Sequence, residues 1–202
     1  MSDFNARAKD WDEDPGRSER ARAVAAAIRQ QVPLSPTMKA FEYGCGTGLL
    51  SFVLQPELGT ITLADSSPGM LEVLKGKIAA GGIKNMRPIL LDLAVDPLPG
   101  ERFDLAYTLM TLHHIPDTAR ILECLFALLE PGGTLCIADL DQEDGSFHSH
   151  EPGFAGHNGF GRTELRQSLA SAGFGDIWIG TCYEVIKNGR RYPIFLAVAN
   201  KP

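Results

Sequence analysis

The sequence predicts a single α/β domain, a three-layer α/β/α sandwich around a mostly parallel seven-stranded sheet. Three observations predict it. Apolar segments of strand length alternate with segments of helical periodicity, as in βαβ units. The segment Thr134 to Asp139 is almost continuously apolar, which is typical of a strand covered on both faces. Near the end of the chain, Asn188-Gly189 joins two strand-like segments, which predicts a hairpin and an antiparallel final strand.

The elements follow this alternation in order. The predicted strands cover residues 38–43, 59–65, 86–93, 103–109, 134–139, 177–186 and 192–199. The predicted helices cover residues 17–31, 49–54, 70–81, 117–130 and 163–172. Proline or glycine ends three of these helices, at Pro33, at Gly81-Gly82 and at Pro131-Gly132-Gly133. A chain of 202 residues fits one domain over 1–202, in which residues 1–36 form a helical extension.

Composition narrows the classes of function. The formal net charge of −6 argues against a nucleic-acid-binding surface. No segment approaches the roughly 20 apolar residues that span a bilayer, and residues 1–16 lack the apolar centre of a signal peptide. The four cysteines form no Cys-x-x-Cys pair, which fits a reducing compartment. We therefore expect a cytoplasmic protein that binds neither membrane nor nucleic acid.

A glycine run lies between the first sheet strand and the next helix. Gly44, Gly46 and Gly48 permit a tight turn and a close approach of backbone to a ligand. Their spacing is Gly-x-Gly-x-Gly, whereas the dinucleotide fingerprint is Gly-x-Gly-x-x-Gly. Glu42, just before the run, suits a cationic ligand and would repel a pyrophosphate. The run therefore favours a sulfonium cofactor over a dinucleotide.

Carboxylates follow at the ends of the next two strands. Asp65 lies 21 residues after Gly44, where a carboxylate can accept hydrogen bonds from ribose hydroxyls. Asp92 ends the third predicted strand, where it could accept from an adenine amine, and Met70 could flank the adenine face. The alternative is that each aspartate caps a helix or lies solvated at a strand end, and that Met70 is only a residue of the hydrophobic core.

These residues carry a family resemblance. Residues 41 to about 138 resemble class I S-adenosylmethionine-dependent methyltransferases with a Rossmann-like fold, of the group that includes ubiquinone/menaquinone-biosynthesis enzymes acting on small molecules. The matching segments are Glu42-Tyr43-Gly44-Cys45-Gly46-Thr47-Gly48, Ala64-Asp65-Ser66-Ser67-Pro68-Gly69-Met70-Leu71, Leu91-Asp92-Leu93, Phe103-Asp104-Leu105 through Leu112-His113-His114-Ile115, and Leu128-Leu129-Glu130-Pro131-Gly132-Gly133. The cofactor shell that this resemblance implies comprises Glu42, Gly44, Gly46, Gly48, Asp65, Ser66, Met70, Asp92, Leu93 and Leu109.

The methyl acceptor is expected beyond the carboxyl ends of the fourth and fifth strands. An oxygen, nitrogen or acidic-carbon acceptor has to lose a proton, and histidine has a suitable pKa range. His113 and His114 are the candidate bases, although the resembled family also uses such a pair structurally. No Asn/Asp-Pro-Pro-aromatic run follows the fourth strand, which argues against methylation of nucleic-acid amines or protein glutamine.

The segment from Asp139 to Gly161 is unusual. It has no lysine or arginine, five acids (Asp139, Asp141, Glu143, Asp144 and Glu151) and three histidines (His148, His150 and His157), with phenylalanines interleaved. Three interpretations stay open: an aromatic lid over the substrate, a divalent-metal site, or a solvated connection. Because nothing fixes a third ligand beside His148 and His150, no metal ligand is assigned. Trp11 is a candidate for a second lid over the cofactor, with surface packing as the alternative.

Methyl transfer from S-adenosylmethionine to a small molecule, which leaves S-adenosylhomocysteine, is thus the favoured function. Two alternatives are a nicotinamide-dependent oxidoreductase and a non-catalytic protein that binds S-adenosylmethionine. The glycine spacing and the terminal hairpin weigh against the oxidoreductase. The acceptor and the oligomeric state stay undetermined at this point.

Overall fold

A computed structural model describes residues 4–150 and 153–202. In these residues one seven-stranded sheet has the order β3-β2-β1-β4-β5-β7-β6. The strands are β1 (Lys39–Tyr43), β2 (Thr60–Asp65), β3 (Met86–Leu90), β4 (Phe103–Leu109), β5 (Leu129–Leu140), β6 (Gly175–Lys187) and β7 (Arg190–Asn200). Strand β7 is antiparallel to both of its neighbours, β5 and β6, while the pairs from β3 to β5 are parallel. The predicted fold class is confirmed.

Six α-helices accompany the sheet in the described residues. They are α1 (Phe4–Arg7), α2 (Pro15–Gln31), α3 (Leu49–Leu54), α4 (Pro68–Gly81), α5 (Thr118–Leu128) and α6 (Arg162–Ser171). Three begin at a side-chain cap: Asp14, Ser67 and Asp117 accept hydrogen bonds from first-turn amides of α2, α4 and α5. Within residues 4–150 and 153–202, none of the helices combines the length and apolar character needed to cross a membrane.

The hydrophobic core has two halves, one on each face of the sheet. Neighbouring residues of β1 alternate between them: Ala40 packs in the half covered by α2, α3 and α4, and Phe41 in the half covered by α5 and α6. This alternation is the two-residue period of a strand. Both faces of the central strands are therefore covered, and ligands have access at the strand ends.

Two predicted boundaries are wrong. The third strand ends at Leu90, because Asp92 begins a turn in which its carboxylate accepts the Ala94 amide at 2.9 Å. The helix predicted over residues 117–130 is α5, which ends at Leu128. Strand β5 begins at once, because Leu129 pairs with Phe103 before an irregularity in the β4–β5 register. Pro131-Gly132-Gly133 therefore lies within the strand and does not separate it from the helix.

Candidate active site

The glycine run forms a left-handed turn between β1 and α3. Gly44, Gly46 and Gly48 have φ of 65°, 53° and 81°, which side-chain-bearing residues rarely adopt. At Gly44 the backbone is also closely approached, since a Cβ there would lie 2.2 Å from Thr111 Cγ2. The loop between β4 and α5 therefore packs directly on the glycine turn, and only glycine fits at that contact.

Asp65 ties the glycine turn to the beginning of α4. Its Oδ2 accepts the Gly46 amide at 2.7 Å and its Oδ1 accepts the Ser67 amide at 2.8 Å. Burial raises the pKa of Asp65, and these backbone hydrogen bonds oppose the shift. Each carboxylate oxygen keeps a second lone pair for a ligand hydroxyl. Asp65 is thus well placed for the ribose contact predicted for it.

Glu42 lies beneath the glycine turn and is only 2% exposed. Its Oε2 accepts a short hydrogen bond from the Ser51 hydroxyl, which is 2.6 Å from the Tyr107 hydroxyl. Burial raises the pKa of Glu42 to about 8, against the lowering effect of the Ser51 hydrogen bond. A cationic group brought close to this carboxyl would favour its ionised form.

The other predicted cofactor residues differ in what they expose. Met70 is buried at the beginning of α4, and a Cβ at Gly46 would lie 3.9 Å from its sulfur. The Asp92 carboxylate is partly exposed at the edge of the same region. Leu93 is fully buried in the core half covered by α5, so neither its side chain nor its backbone is exposed at the site.

Ser66 and Leu109 stand at strand ends beside the glycine turn. Ser66 directly follows β2 and its side chain is exposed. Leu109 ends β4, and its carbonyl accepts a hydrogen bond from the Thr111 hydroxyl at 3.1 Å.

The N-terminal segment crosses the front of the glycine turn. Trp11 Nε1 would lie 3.9 Å from a Cβ at Gly46, and the Arg17 guanidinium stacks on the indole at 3.8 Å. Asp12 bonds both the Thr47 hydroxyl and the Lys77 ammonium at 2.5 Å. Asp12 therefore attaches the N-terminal segment to Thr47 in the glycine turn and to Lys77 on α4.

On the acceptor side, His113 forms a buried pair with Asp139. The Nδ1 atom of His113 lies 2.5 Å from Asp139 Oδ1, and the two side chains are 1% and 0% exposed. Burial raises the pKa of Asp139, but the charge and hydrogen bonds of His113 and backbone amides outweigh it and lower the pKa overall. In the neutral form of the imidazole, the carboxylate acceptor holds the proton on Nδ1 and leaves the lone pair on Nε2. His113 Nε2 is buried and has no hydrogen-bond partner within the described residues.

The segment after β5 folds back onto this pair. Phe160 bridges to Asp141 in parallel, and the His157 amide donates to the His113 carbonyl at 2.7 Å. A Cβ at Gly156 would lie 2.1 Å from that carbonyl oxygen, which shows how closely the two backbones approach.

The acids and histidines of the segment separate into distinct contacts. Asp141 pairs with Arg162 and Asp144 with Arg190, while Glu143 accepts the Phe147 amide. Glu151 lies outside the described residues. His150 contacts Asn188, and His157 contacts the Ile115 and Pro116 carbonyls. His148 alone of the three joins His113 and His114, with ring centroids 5.2 Å from each.

Two residues inside the fourth-strand segment, Thr111 and Met110, complete the centre of the site. Thr111 donates to the Gly44 carbonyl at 3.2 Å and so joins the cofactor and acceptor sides. Met110 has φ of 53°, a rare conformation for a side-chain-bearing residue, at the turn immediately after β4. The sequence places both residues in the acceptor region but does not show these contacts.

The residues present fit S-adenosylmethionine. The left-handed glycines leave room beside Met70 and Trp11 where a Cβ would stand, and Asp65 offers acceptor lone pairs. Glu42 can balance positive charge under the turn.

Comparison with known proteins agrees with the geometry. The sequence model of a methyltransferase domain matches residues 17–177. A ubiquinone biosynthesis O-methyltransferase of Coxiella burnetii is 25% identical over 145 residues, 70% of this chain and 62% of that protein. Its namesake in Xylella fastidiosa is 32% identical over 123 residues, 59% of this chain and 48% of that protein. The chain thus spans about half to three fifths of the length of these relatives.

Solved structures show the same fold at low identity. A methyltransferase of Haloferax volcanii, in complex with the Trm112 methyltransferase activator, has a TM-score of 0.78 and 19% identity over 100% of this chain and 99% of that chain. Phosphoethanolamine N-methyltransferase 2 of Haemonchus contortus, in complex with S-adenosylmethionine, has a TM-score of 0.75 and 16% identity over 88% of this chain and 52% of that chain. The family match decides against the nicotinamide-dependent alternative: the chain belongs to the class I S-adenosylmethionine-dependent methyltransferases.

Proposed function

We propose that the protein methylates an oxygen of a small, ring-bearing acceptor, with His113 as the proton acceptor. The buried pair of His113 and Asp139 carries this proposal. Asp139 fixes the ring and its tautomer, so that Nε2 is the basic atom and faces away from the carboxylate. An acceptor hydroxyl placed at Nε2 can give up its proton as it attacks.

The cofactor side has a separate task. S-adenosylmethionine, when bound, supplies an electrophilic methyl group on its sulfonium. Asp65, Met70 and Glu42 would hold it at the glycine turn, with Ser66, Asp92 and Leu109 along its border. Thr111 bonds the Gly44 carbonyl and lies two residues before His113, so the two sides are held in a fixed relation. Such positioning supplies much of the catalysis in a transfer between two bound molecules.

Two segments would enclose the reacting groups. Residues 4–17 cross the glycine turn, and Phe4 lies 5.2 Å from the ring of His114. Residues 141–150 and 153–161 bring Phe147 and Phe154 beside the histidines. We assign both as covers of the site within one domain, where they would exclude water.

The acceptor class rests on three observations. The rings around His113 favour a flat, partly apolar molecule over an extended polymer. The net charge of −6 is unfavourable for a nucleic-acid substrate. The two relatives above are named as O-methyltransferases of ubiquinone biosynthesis.

All four cysteines are free thiols, which supports a reducing, cytoplasmic location.

Formation of S-adenosylhomocysteine over a panel of phenols, amines and carboxylates tests the proposal. We expect turnover with a phenol and a fall in kcat of about 100-fold in His113→Ala, the usual range for loss of a general base. S-adenosylhomocysteine affinity should change less than about twofold, because His113 lies on the acceptor side. His150→Ala is the matched control, since that exposed ring contacts Asn188 away from the site.

Two results would contradict the proposal. Full turnover in His113→Ala would remove the proton-acceptor role. Tight binding of S-adenosylmethionine without turnover on any member of the panel would favour the non-catalytic alternative.

A further inference from the structure

Three histidines from two separate parts of the chain meet beside the proposed acceptor position. His113 and His114 lie in the 3₁₀ turn Leu112–His114 after β4, and His148 comes from the segment after β5. One ring nitrogen from each lies within 4.8 Å of the others. The ring centroids of His113 and His114 are 4.1 Å apart. His113 and His148 are both buried, so this is a partly enclosed group of imidazoles.

Asp139 gives this group the supporting contact of a metal site. Its carboxylate holds Nδ1 of His113, and Nε2 is buried without a hydrogen-bond partner in the described part of the chain. In metal sites a ligating histidine usually donates its other ring N–H to a carboxylate or carbonyl, which fixes the ring and raises its basicity. Asp139 itself accepts the Leu112 and Leu140 amides at 2.9 and 2.7 Å, so the carboxylate is also fixed.

We propose that His113, His114 and His148 bind a divalent transition-metal ion. Imidazole donors select Zn²⁺, Co²⁺, Ni²⁺ or Cu²⁺, whereas Mg²⁺ and Ca²⁺ prefer oxygen. With Zn–N bonds of about 2.0–2.1 Å, the donor atoms of a tetrahedral site lie roughly 3.3 Å apart. The three imidazoles therefore have to close by roughly 1.5 Å at most, which side-chain rotations can supply. Three protein ligands leave a fourth position for water or an acceptor atom.

This site does not depend on the proposed function. It does affect it, because Nε2 of His113 cannot hold an ion and accept a proton at the same time. The metal-free chain has an imidazole base at this position. The metal-bound chain has a Lewis acid there, which promotes ionisation of a hydroxyl by coordination.

Cobalt titration of the untagged full chain, after treatment with a chelator, tests the site. Co²⁺ bound to imidazoles in a four-coordinate site gives visible d–d absorption bands, and calorimetry with Zn²⁺ gives the stoichiometry. We expect one ion per chain. His148→Ala should weaken the affinity at least about tenfold, the loss that even supporting residues of metal sites show. His148→Gln is a second variant, and thermal unfolding establishes that each variant is folded.

His150→Ala is the matched control and should bind Co²⁺ as the unmodified chain does, because its ring lies with Asn188. Absence of cobalt bands would overturn the proposal, as would unchanged affinity in both His148 variants. A thiolate-to-cobalt charge-transfer band would also overturn it, since it would place the ion on one of the four free cysteines. All these readouts are independent of methyl transfer, so failure of this site and failure of the proposed function are distinguishable.

Discussion

The two sides of the site are built in different ways. On the cofactor side, Asp65 contacts Gly46 and Ser67, which lie within 19 residues of it along the chain. On the acceptor side, Asp139 contacts His113 from 26 residues away. His148 reaches the same group from a long segment after β5 whose described residues form no regular strand or helix before α6. The cofactor side is formed by the ends of consecutive strands, whereas the acceptor side forms only when distant segments pack together.

This difference has a physical basis. A parallel sheet places the carboxyl ends of neighbouring strands at one edge, so residues that end β1 and β2 meet whatever the rest of the chain does. The acceptor residues meet only after His148, Phe154 and His157 have packed on the loop after β4. Their contacts are consequently more sensitive to tertiary packing than those of the glycine turn.

The largest expected effect tests this sensitivity. Asp139→Asn replaces a buried carboxylate that accepts from His113 and three backbone amides, and its new NH₂ group would face donors. Each hydrogen bond to a charged group contributes about 1.5–3 kcal/mol, and a buried donor left without its acceptor costs about 1–3 kcal/mol. We expect a loss of that size in the free energy of unfolding, measured by denaturant titration.

Asp141→Asn is the control variant, because Asp141 is the next acid along the chain and also pairs with a basic side chain. Asp141 pairs with an Arg162 side chain that is 38% exposed, so solvent reduces the value of the pair. Its loss should cost about 1 kcal/mol or less. Equal losses for the two variants would contradict the distinction between a buried and a partly exposed pair.

A second variant tests the cofactor side. Asp65→Ala removes a carboxylate that holds Gly46 and the beginning of α4, and it removes the proposed ribose acceptor. Hydrogen bonds to a charged group contribute about 1.5–3 kcal/mol, which corresponds to a loss of roughly 10- to 100-fold in affinity. Calorimetry with S-adenosylhomocysteine measures it. Glu72→Ala, an exposed change of equal charge on α4, should leave the affinity unchanged; a similar loss there would point to net charge as the cause.

The smallest effect concerns pH and Glu42. Its pKa is raised from 4.5 to about 8 in the folded chain. As pH rises above 4.5 the unfolded chain ionises first, so this residue lowers folded-state stability progressively until pH passes 8. Between pH 6 and pH 8 the decrease is about 2 kcal/mol by linkage. Glu42→Gln lacks this step, so the stability difference between variant and unmodified chain should grow with pH.

Unfolding titrations at pH 6, 7 and 8 measure this difference, with Glu72→Gln as the exposed control. A pH-independent difference would show that the carboxyl is already ionised in the folded chain. Asp65 and Lys77 are the other charged groups that act on Glu42, so they are kept unchanged in this series.

The fold could be predicted in detail because its signals are local. Strand and helix order follows from apolar periodicity, and the Asn188-Gly189 turn identifies the hairpin that places β7 in the sheet. The ends of β3 and α5 could not be read in this way. A strand-like run continues into the Asp92 turn, and Pro131-Gly132-Gly133 is held extended by its neighbours in the sheet.

The acceptor side shows more clearly which contacts cannot be predicted from the sequence. The sequence shows the paired histidines and the acidic segment as separate features. It does not show that Asp139 orients His113, that His148 and not His150 joins the histidines, or that Thr111 packs on Gly44. These contacts depend on side-chain placement across elements distant along the chain. The positive φ of Met110 likewise has no local signal, since that conformation favours glycine.

The place of β7 has a consequence for the order in which the chain folds. In the described residues β6 reaches the sheet through β7, and β7 aligns Phe195 with Asp139 on β5. The β6–β7 hairpin can form early from local contacts, but its docking on β5 joins segments far apart in sequence and is the slower event. Enclosure of Asp139 between strands therefore follows that docking.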